Sequence, residues 1–144
     1  MIPTLSITLS NHLSELERLH QVLGQFGKDQ NLPHKVINTM NLALEEIVAN
    51  VIEHGYRDTG EHAINICCSV HDGQVIAEVE DDGQPFNPLE FPSPDVSKSL
   101  VDRPLGGLGI YLVRKVMDTL DYSYQGDRNR IKLKKRIDGL DRDS

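Results

Sequence analysis

A chain of 144 residues, 38% hydrophobic and 26% charged, can bury one core without metals or disulfides, so we expect a single domain over residues 1–144. A net charge of −7, with no basic stretch interleaved with aromatic residues, argues against a nucleic-acid platform. No apolar run approaches the roughly 18 residues of a membrane helix. The N-terminus lacks the basic start and apolar run of a signal peptide, so we expect a cytoplasmic protein with no membrane partner.

The first third of the chain predicts one strand and two helices. Apolar residues at alternate positions indicate a strand over residues 4–9. Asn11 is expected to cap a helix with apolar residues at helical spacing, which Gly27 and the polar stretch to Asn31 end. Pro33 is expected to open a second, longer helix, and Gly55 to stop it.

The middle of the chain predicts a hairpin followed by a long loop. Strands over 62–70 and 74–80 flank a tight turn at His71-Asp72-Gly73. After the second strand the periodicity disappears, and the aperiodic stretch holds five of the seven prolines. A loop of this length inside a compact domain is typical of a lid. We therefore expect a flexible lid over about 84–105.

The last third predicts a helix after Gly109 and a second hairpin. Its strands are expected near 121–125 and 130–137, with the turn at Gly126-Asp127. The resulting order of elements predicts an α+β two-layer sandwich, with helices on one face of a mostly antiparallel sheet.

Three groups of residues are candidates for a binding site, and the first lies on the long helix. Glu46, Asn50 and His54 are four residues apart, so they line one side of a helix at intervals of about 6 Å. Such a row offers an amide for a hydrated metal and a carboxylate one turn away. Glu45 is rotated by about 100° and leaves the row. The same spacing also fits a solvated polar edge.

The second and third groups lie at a strand end and at a helix start. Glu80-Asp81-Asp82-Gly83 follows an apolar strand, where a carboxylate can accept a hydrogen bond from an exocyclic amine; Asp-Gly is also common in turns. Gly106-Gly107-Leu108-Gly109-Ile110 opens a helix. Backbone amides without neighbouring Cβ atoms can crowd a phosphate at such a start, although the same sequence also fits a hinge.

In this order the three groups resemble the GHKL ATPase superfamily and its Bergerat-type ATP-binding fold, over nearly the whole chain. Residues 44–50 with His54-Gly55-Tyr56 resemble its N-box, Asp81-Asp82-Gly83 its first glycine box and Gly107-Leu108-Gly109 its second. Within the superfamily, residues 81–88, 106–113 and 129–133 resemble RsbW-type anti-sigma factor serine/threonine kinases.

The resemblance implies a role for each matching residue. Asn50 would coordinate Mg²⁺, Asp81 would bind the adenine amine with Gly83 beneath the ring, and Glu46 would accept the proton of the attacking serine hydroxyl. The remaining residues that the resemblance places around ATP are His54, Arg103, Gly106, Gly107, Leu108 and Gly109.

The resemblance also implies partners. If the chain is a kinase, the resemblance implies that it phosphorylates an anti-anti-sigma (STAS) protein. A sigma factor would be the second partner, and two copies of the chain would form a homodimer through the open sheet face. The alternative is a non-catalytic ATP-binding regulator that sequesters a sigma factor or another protein. The third interpretation is a structural domain whose ATP pocket is vestigial.

The sequence departs from the family pattern in three places. Gln84-Pro85 stands where many relatives have a second glycine. The arginine expected directly before the second glycine box is displaced to Arg103, and Lys98 is the other cation in reach of a γ-phosphate. Asn129 lies near the place of a threonine that is frequent on the closing strand.

Overall fold

The computed structural model of the chain describes residues 4–90 and 107–137. The strands among them are β1 (Thr4–Ser10), β2 (Ala63–His71), β3 (Gln74–Asp81), β4 (Thr119–Gln125) and β5 (Arg128–Arg136). The α-helices are α1 (Glu15–Asp29), α2 (His34–His54) and α3 (Gly107–Val116), and one 3₁₀ turn spans Pro88–Glu90. None of these helices combines the length and apolar character needed to cross a bilayer.

The strands form one sheet with the order β1-β2-β3-β5-β4, in which every neighbouring pair is antiparallel. Buried and more exposed residues alternate along most of β1, β2, β3 and β5, as expected when only one face of a sheet is covered. The buried face shares one hydrophobic core with all three helices. These observations confirm the predicted α+β two-layer sandwich.

The central helix is α2, which packs against both α1 and α3. Its apolar stripe is almost completely buried, and Asn50 lies at 2% exposure on the same helix. This stripe holds α2 against the sheet, with Glu46 beside the start of α3. The buried members of the stripe are Val36, Met40, Leu44, Ile47, Val48 and Val51.

The predicted start of the first helix is wrong. Helix α1 begins at Glu15, and Asn11 does not cap it. The Asn11 amide instead donates to the carbonyl of Gly60 at 3.1 Å and accepts from the backbone N–H of His62 at 3.0 Å. The side chain therefore joins the end of β1 to the segment before β2, through partners that are distant in sequence.

The first helix ends inside the predicted stretch, since α1 continues through Gly27 and ends at Asp29. Gly27 is buried, and a Cβ atom there would overlap the side chain of Ile37 on α2. The glycine therefore serves close packing of two helices rather than a helix stop.

Both predicted hairpin turns are confirmed. The central residues have positive φ in each turn, 53° and 72° at Asp72-Gly73 and 59° and 61° at Gly126-Asp127. Two central residues in the left-handed region define a type I′ turn, which matches the twist of paired strands.

Candidate functional site

Helix α2 brings Glu46 and Asn50 into direct contact. The Asn50 Nδ2 atom donates to the Glu46 carbonyl at 2.8 Å and to Glu46 Oε1 at 3.2 Å. Only the amide nitrogen can donate to a carbonyl, so the amide orientation follows from the first bond. No described residue donates to Asn50 Oδ1. An amide oxygen without a donor, beside a carboxylate, is suited to a hard cation such as Mg²⁺.

The Glu46 carboxyl is partly buried, and burial is the main cause of its raised pKa. The hydrogen bond from Asn50 lowers this pKa, while the negative charge of Glu53 raises it further. A carboxylate whose pKa is raised towards neutrality is a better proton acceptor. Glu46 therefore has the chemistry expected of a general base.

The start of α3 lies against Glu46. A Cβ atom at Gly109 would overlap the Glu46 carboxyl group, so a larger residue there would displace the flexible end of the Glu46 side chain. Gly107 and Leu108 form the first helical residues of α3. The N-terminus of a helix carries unpaired N–H groups and partial positive charge, which favour a phosphate. The polar row of α2 and the glycine-rich start of α3 thus meet where Gly109 contacts Glu46.

Asp81 lies at the end of β3 and is 3% exposed. Its Oδ1 atom accepts from the backbone N–H of Gly83 at 2.8 Å and from Asn129 Nδ2 at 3.0 Å. Burial raises the pKa of Asp81 and these two hydrogen bonds lower it, with burial the larger effect. No described residue donates to Oδ2, so the carboxylate retains one acceptor oxygen for a ligand amine.

Asn129 lies opposite Asp81 in the β3–β5 register and is 1% exposed. Its Nδ2 atom also donates to the carbonyl of Gln84 at 2.8 Å, and its Oδ1 atom accepts from the N–H of Phe86 at 3.0 Å. Its position was noted in the sequence only as a replacement for threonine. The structure places it between Asp81 and the base of the predicted lid.

Gly83 and Gln84 pack against the end of α2. A Cβ atom at Gly83 would overlap the carbonyl oxygen of Gly55, so this approach alone requires glycine. The Gln84 N–H donates to that carbonyl at 3.0 Å, and its side-chain amide donates to the carbonyl of His54 at 3.2 Å. Gln84 therefore caps α2. The expected position of Gly83 beneath an adenine ring stays a prediction.

His54 lies away from the Glu46–Gly109 contact. It is eight positions along α2 from Glu46, or about 12 Å along the axis. Its ring lies 6.0 Å from that of Phe86, centroid to centroid, at the base of the lid. Its predicted role in nucleotide binding thus concerns the lid side of the site and stays a prediction.

The loop between α2 and β2 is fastened beside Asp81 by His62. The His62 ring bonds Asp58 Oδ1 at 2.8 Å and Asp82 Oδ1 at 3.1 Å, and it stacks on Tyr56 with centroids 4.2 Å apart. The Asp58 hydrogen bond is the largest cause of the raised pKa of His62, and Asp82 acts in the same direction. Sequence reasoning missed this cluster, because its members become neighbours only in the folded chain.

Part of the predicted site lies outside the described residues. Arg103 and Gly106 belong to the undescribed stretch, as do Lys98 and residues 91–105 of the predicted lid. The first part of the lid, residues 84–90, is held by the Gln84 and Asn129 contacts and by the 3₁₀ turn.

The profile of the histidine kinase-like ATPase domain family matches residues 9–135. The chain therefore belongs to this family, and its sheet and helices have the corresponding α+β fold.

Named relatives include kinases and anti-sigma factors. Serine/threonine-protein kinase BtrW of Bordetella bronchiseptica is 27% identical over 95 residues, 66% of this chain and 67% of that protein. The anti-sigma F factor of Clostridium acetobutylicum is 27% identical over 126 residues, 86% of this chain and 87% of its own. Serine-protein kinase RsbW of Bacillus cereus is 32% identical over 89 residues, which span 58% of this chain and 54% of RsbW.

Two solved structures share the fold. The RsbU and RsbW domains of a Mycobacterium tuberculosis protein superpose with a TM-score of 0.67 at 22% identity, covering 94% of this chain and 32% of that one. A blue-light activated histidine kinase of Erythrobacter litoralis gives a TM-score of 0.60 at 15% identity, covering 90% of this chain and 42% of that one. Likeness at these identities establishes the fold alone.

Proposed function

We propose that this domain is an ATP- and Mg²⁺-dependent protein serine/threonine kinase that phosphorylates an anti-anti-sigma protein of the STAS type and also acts as an anti-sigma factor. The observation that carries the proposal is the meeting of Glu46, Asn50 and the Gly109 end of α3. Relatives named serine-protein kinase RsbW and anti-sigma F factor support both halves of it.

The residues present fit ATP and Mg²⁺. Asn50 Oδ1 and Asp81 Oδ2 accept no hydrogen bond from a described residue, and each belongs to a side chain that is at least 97% buried. Asn50 Oδ1 offers a metal ligand, and Asp81 Oδ2 offers an acceptor for the adenine amine. Within residues 4–90 and 107–137, no three His, Cys, Asp or Glu side chains cluster tightly enough to hold a metal. We therefore expect the cation to arrive with the nucleotide phosphates.

Each residue then has one task in phosphoryl transfer, a reaction that depends mainly on positioning and charge neutralisation. Asn50 holds the cation, which when bound neutralises phosphate charge. Asp81 orients the base, and the first N–H groups of α3 face the phosphates. Glu46 would accept the proton of the serine hydroxyl as the serine oxygen bonds to the γ-phosphorus of ATP, while the bond from that phosphorus to the β–γ bridging oxygen breaks and ADP leaves.

The proposal is tested by incubating the purified chain with γ-labelled ATP, Mg²⁺ and purified STAS-domain proteins of the same genome. We expect label on a serine or threonine of one STAS protein. If ATP binds tightly and no STAS protein is labelled, the domain is a non-catalytic ATP-binding regulator instead. Pull-down of sigma factors by the ATP-loaded chain then tests the anti-sigma half separately.

A further inference from the structure

A single buried amide joins two parts of the candidate site. We propose that Asn129 is a positioning residue that fixes which oxygen of Asp81 faces the adenine amine and that ties Asp81 to the start of the lid. This inference rests on the proposed nucleotide-binding function and concerns a residue to which that function assigns no task.

The donor half of the Asn129 amide is fully used. One N–H group points to Asp81 Oδ1 at 3.0 Å and the other to the carbonyl of Gln84 at 2.8 Å, with the Gly83 carbonyl further away at 3.4 Å. Primary amides have two such hydrogens, so both are committed to the carboxylate and to the first residue of the lid.

The acceptor half is also fully used. Asn129 Oδ1 accepts from the N–H of Phe86 at 3.0 Å and from the hydroxyl of Tyr122 at 2.5 Å. A backbone N–H must meet an oxygen and a backbone carbonyl must meet a donor, so these partners settle the orientation of the amide. One side chain, 1% exposed, therefore makes hydrogen bonds to β3, to β4 and to two lid residues.

The effect on Asp81 follows from the sharing of one oxygen. Because Gly83 and Asn129 both donate to Oδ1, the carboxylate is held with Oδ2 accepting from none of the described residues. Losing the Asn129 donor leaves the carboxylate with a single hydrogen bond and a higher pKa, since that bond lowers the pKa. The other charged groups acting on Asp81 are Asp82, which raises its pKa, and Arg128, which lowers it; Tyr56 and Tyr122 also lie within its electrostatic reach.

The effect on the lid follows from the backbone groups involved. The Gln84 carbonyl and the Phe86 N–H belong to residues that start the lid, and both meet the same amide. A shift of residues 84–86 therefore displaces the Asn129 amide, which bonds Asp81. Adenine recognition and the position of residues 84–86 are coupled through Asn129.

Two variants separate this role from a general packing role. Asn129→Ala removes all the bonds, whereas Asn129→Asp keeps size and shape but replaces both donor hydrogens by an acceptor facing Asp81. We expect ATP affinity, measured by calorimetry, to fall about tenfold in each. Tyr122→Phe is the matched control, because it removes one bond to Asn129 Oδ1 and leaves both donors in place. We expect its affinity to stay within about threefold of wild type.

A double-mutant cycle tests whether Asn129 acts through Asp81. In the Asp81→Asn background, Asn129→Ala should lower ATP affinity by less than about threefold, because the effects of changes at coupled residues are not additive. Equal losses in both backgrounds would assign Asn129 to packing alone.

Two readouts without nucleotide complete the test. In Asn129→Asp, NMR titration should place the apparent carboxyl pKa of the pair above that of wild-type Asp81, and the amides of Gly83 and Phe86 should exchange faster. If titration and exchange are unchanged in Asn129→Asp, the positioning role is wrong, even where the wild type binds ATP. Absence of ATP binding in the wild type would instead contradict the proposed function.

Discussion

Gly109 on α3 lies directly against the carboxyl group of Glu46 on α2, with no space between them for a Cβ atom. The contact sets a carboxylate beside the positive end of a helix, an arrangement that is favourable in itself. It also gives the glycine a steric reason that is independent of any bound phosphate. The position of the Glu46 carboxyl group therefore depends on the lack of a side chain at residue 109.

Gly109→Ala is expected to displace the Glu46 carboxyl group, which is the flexible end of a side chain, and so to lower phosphate transfer at little cost in stability. Gly24→Ala is the control, because a Cβ atom there meets nothing within 4 Å. In the interior of α1 this change should stabilise by about 0.5–1 kcal/mol. Urea unfolding measures the stability of both variants and single-turnover assays measure their phosphate transfer; wild-type transfer by Gly109→Ala would rule out the steric argument.

Glu46→Gln is expected to lower phosphate transfer by roughly 10²–10⁴-fold, because the amide cannot take a proton from the serine hydroxyl. ATP binding and STAS binding should be nearly unchanged. Glu45→Gln is the matched control, since Glu45 leaves the row and bonds His20 on α1 at 3.1 Å. Single-turnover assays decide the matter: wild-type transfer rates in both variants would leave Glu46 without a catalytic role.

Asn50→Ala is expected to remove most of the Mg²⁺ dependence of ATP binding, because Asn50 Oδ1 is the proposed metal ligand. The measurement is calorimetric titration with ATP in Mg²⁺ and in EDTA. Asn41→Ala on the same helix is a suitable comparison, as it also removes a buried amide. The metal role is wrong if Asn50→Ala and wild type show the same difference between the two buffers.

Asp81→Asn is expected to lose ATP affinity by roughly tenfold while the fold is retained, since an amide oxygen can still accept from Gly83 and Asn129. The new NH₂ group would face the adenine amine, donor against donor. The pKa of Asp81 is raised in the folded chain. Wild type should therefore lose stability relative to Asp81→Asn as pH rises through that pKa, and the difference should shrink at acid pH.

Thermal unfolding between pH 3 and pH 8 measures the difference in stability between wild type and Asp81→Asn. Calorimetric titration with ATP and with GTP measures recognition of the adenine amine. A wild type that binds GTP as well as ATP would show that Asp81 does not read the adenine amine.

His62→Phe is expected to keep the stack on Tyr56 and to lose both carboxylate bonds. The pKa of His62 is raised above 6.5 in the folded chain, chiefly by Asp58. Its contribution to stability is therefore complete below pH 6.5 and declines as pH rises through the folded pKa. Chemical denaturation at a series of pH values should show the wild-type advantage shrinking on the alkaline side. An advantage that grows with pH would mean that the ring is neutral in the folded chain.

Local patterns were sufficient to predict most of the elements. The strands alternate between buried and exposed residues, and α2 repeats its apolar residues at helical spacing, so both are visible in the sequence. The start of α1 was missed because the Asn11 side chain bonds a partner distant in sequence, the carbonyl of Gly60. A residue that can cap or stop a helix gives the same local signal when it is used for tertiary contact.

The candidate site was predictable in its members but not in its connections. Glu46 and Gly109 are 63 positions apart, and nothing in their spacing shows that they touch. Gln84 and Asn129 appeared in the sequence only as departures from a family pattern. Their hydrogen bonds with α2 and with Asp81 depend on strand register, which sequence periodicity does not specify.

The Gln84 cap joins the end of α2 to the turn after β3 through the carbonyls of His54 and Gly55. When that turn opens, the last carbonyls of the helix lose their donors, so both segments belong to one cooperative unit of local unfolding. A nucleotide held at Asp81 would then slow amide exchange in the final turn of α2, several residues beyond any group it touches. An insertion between Asp81 and Gln84 would split this unit and leave the helix end to fray on its own.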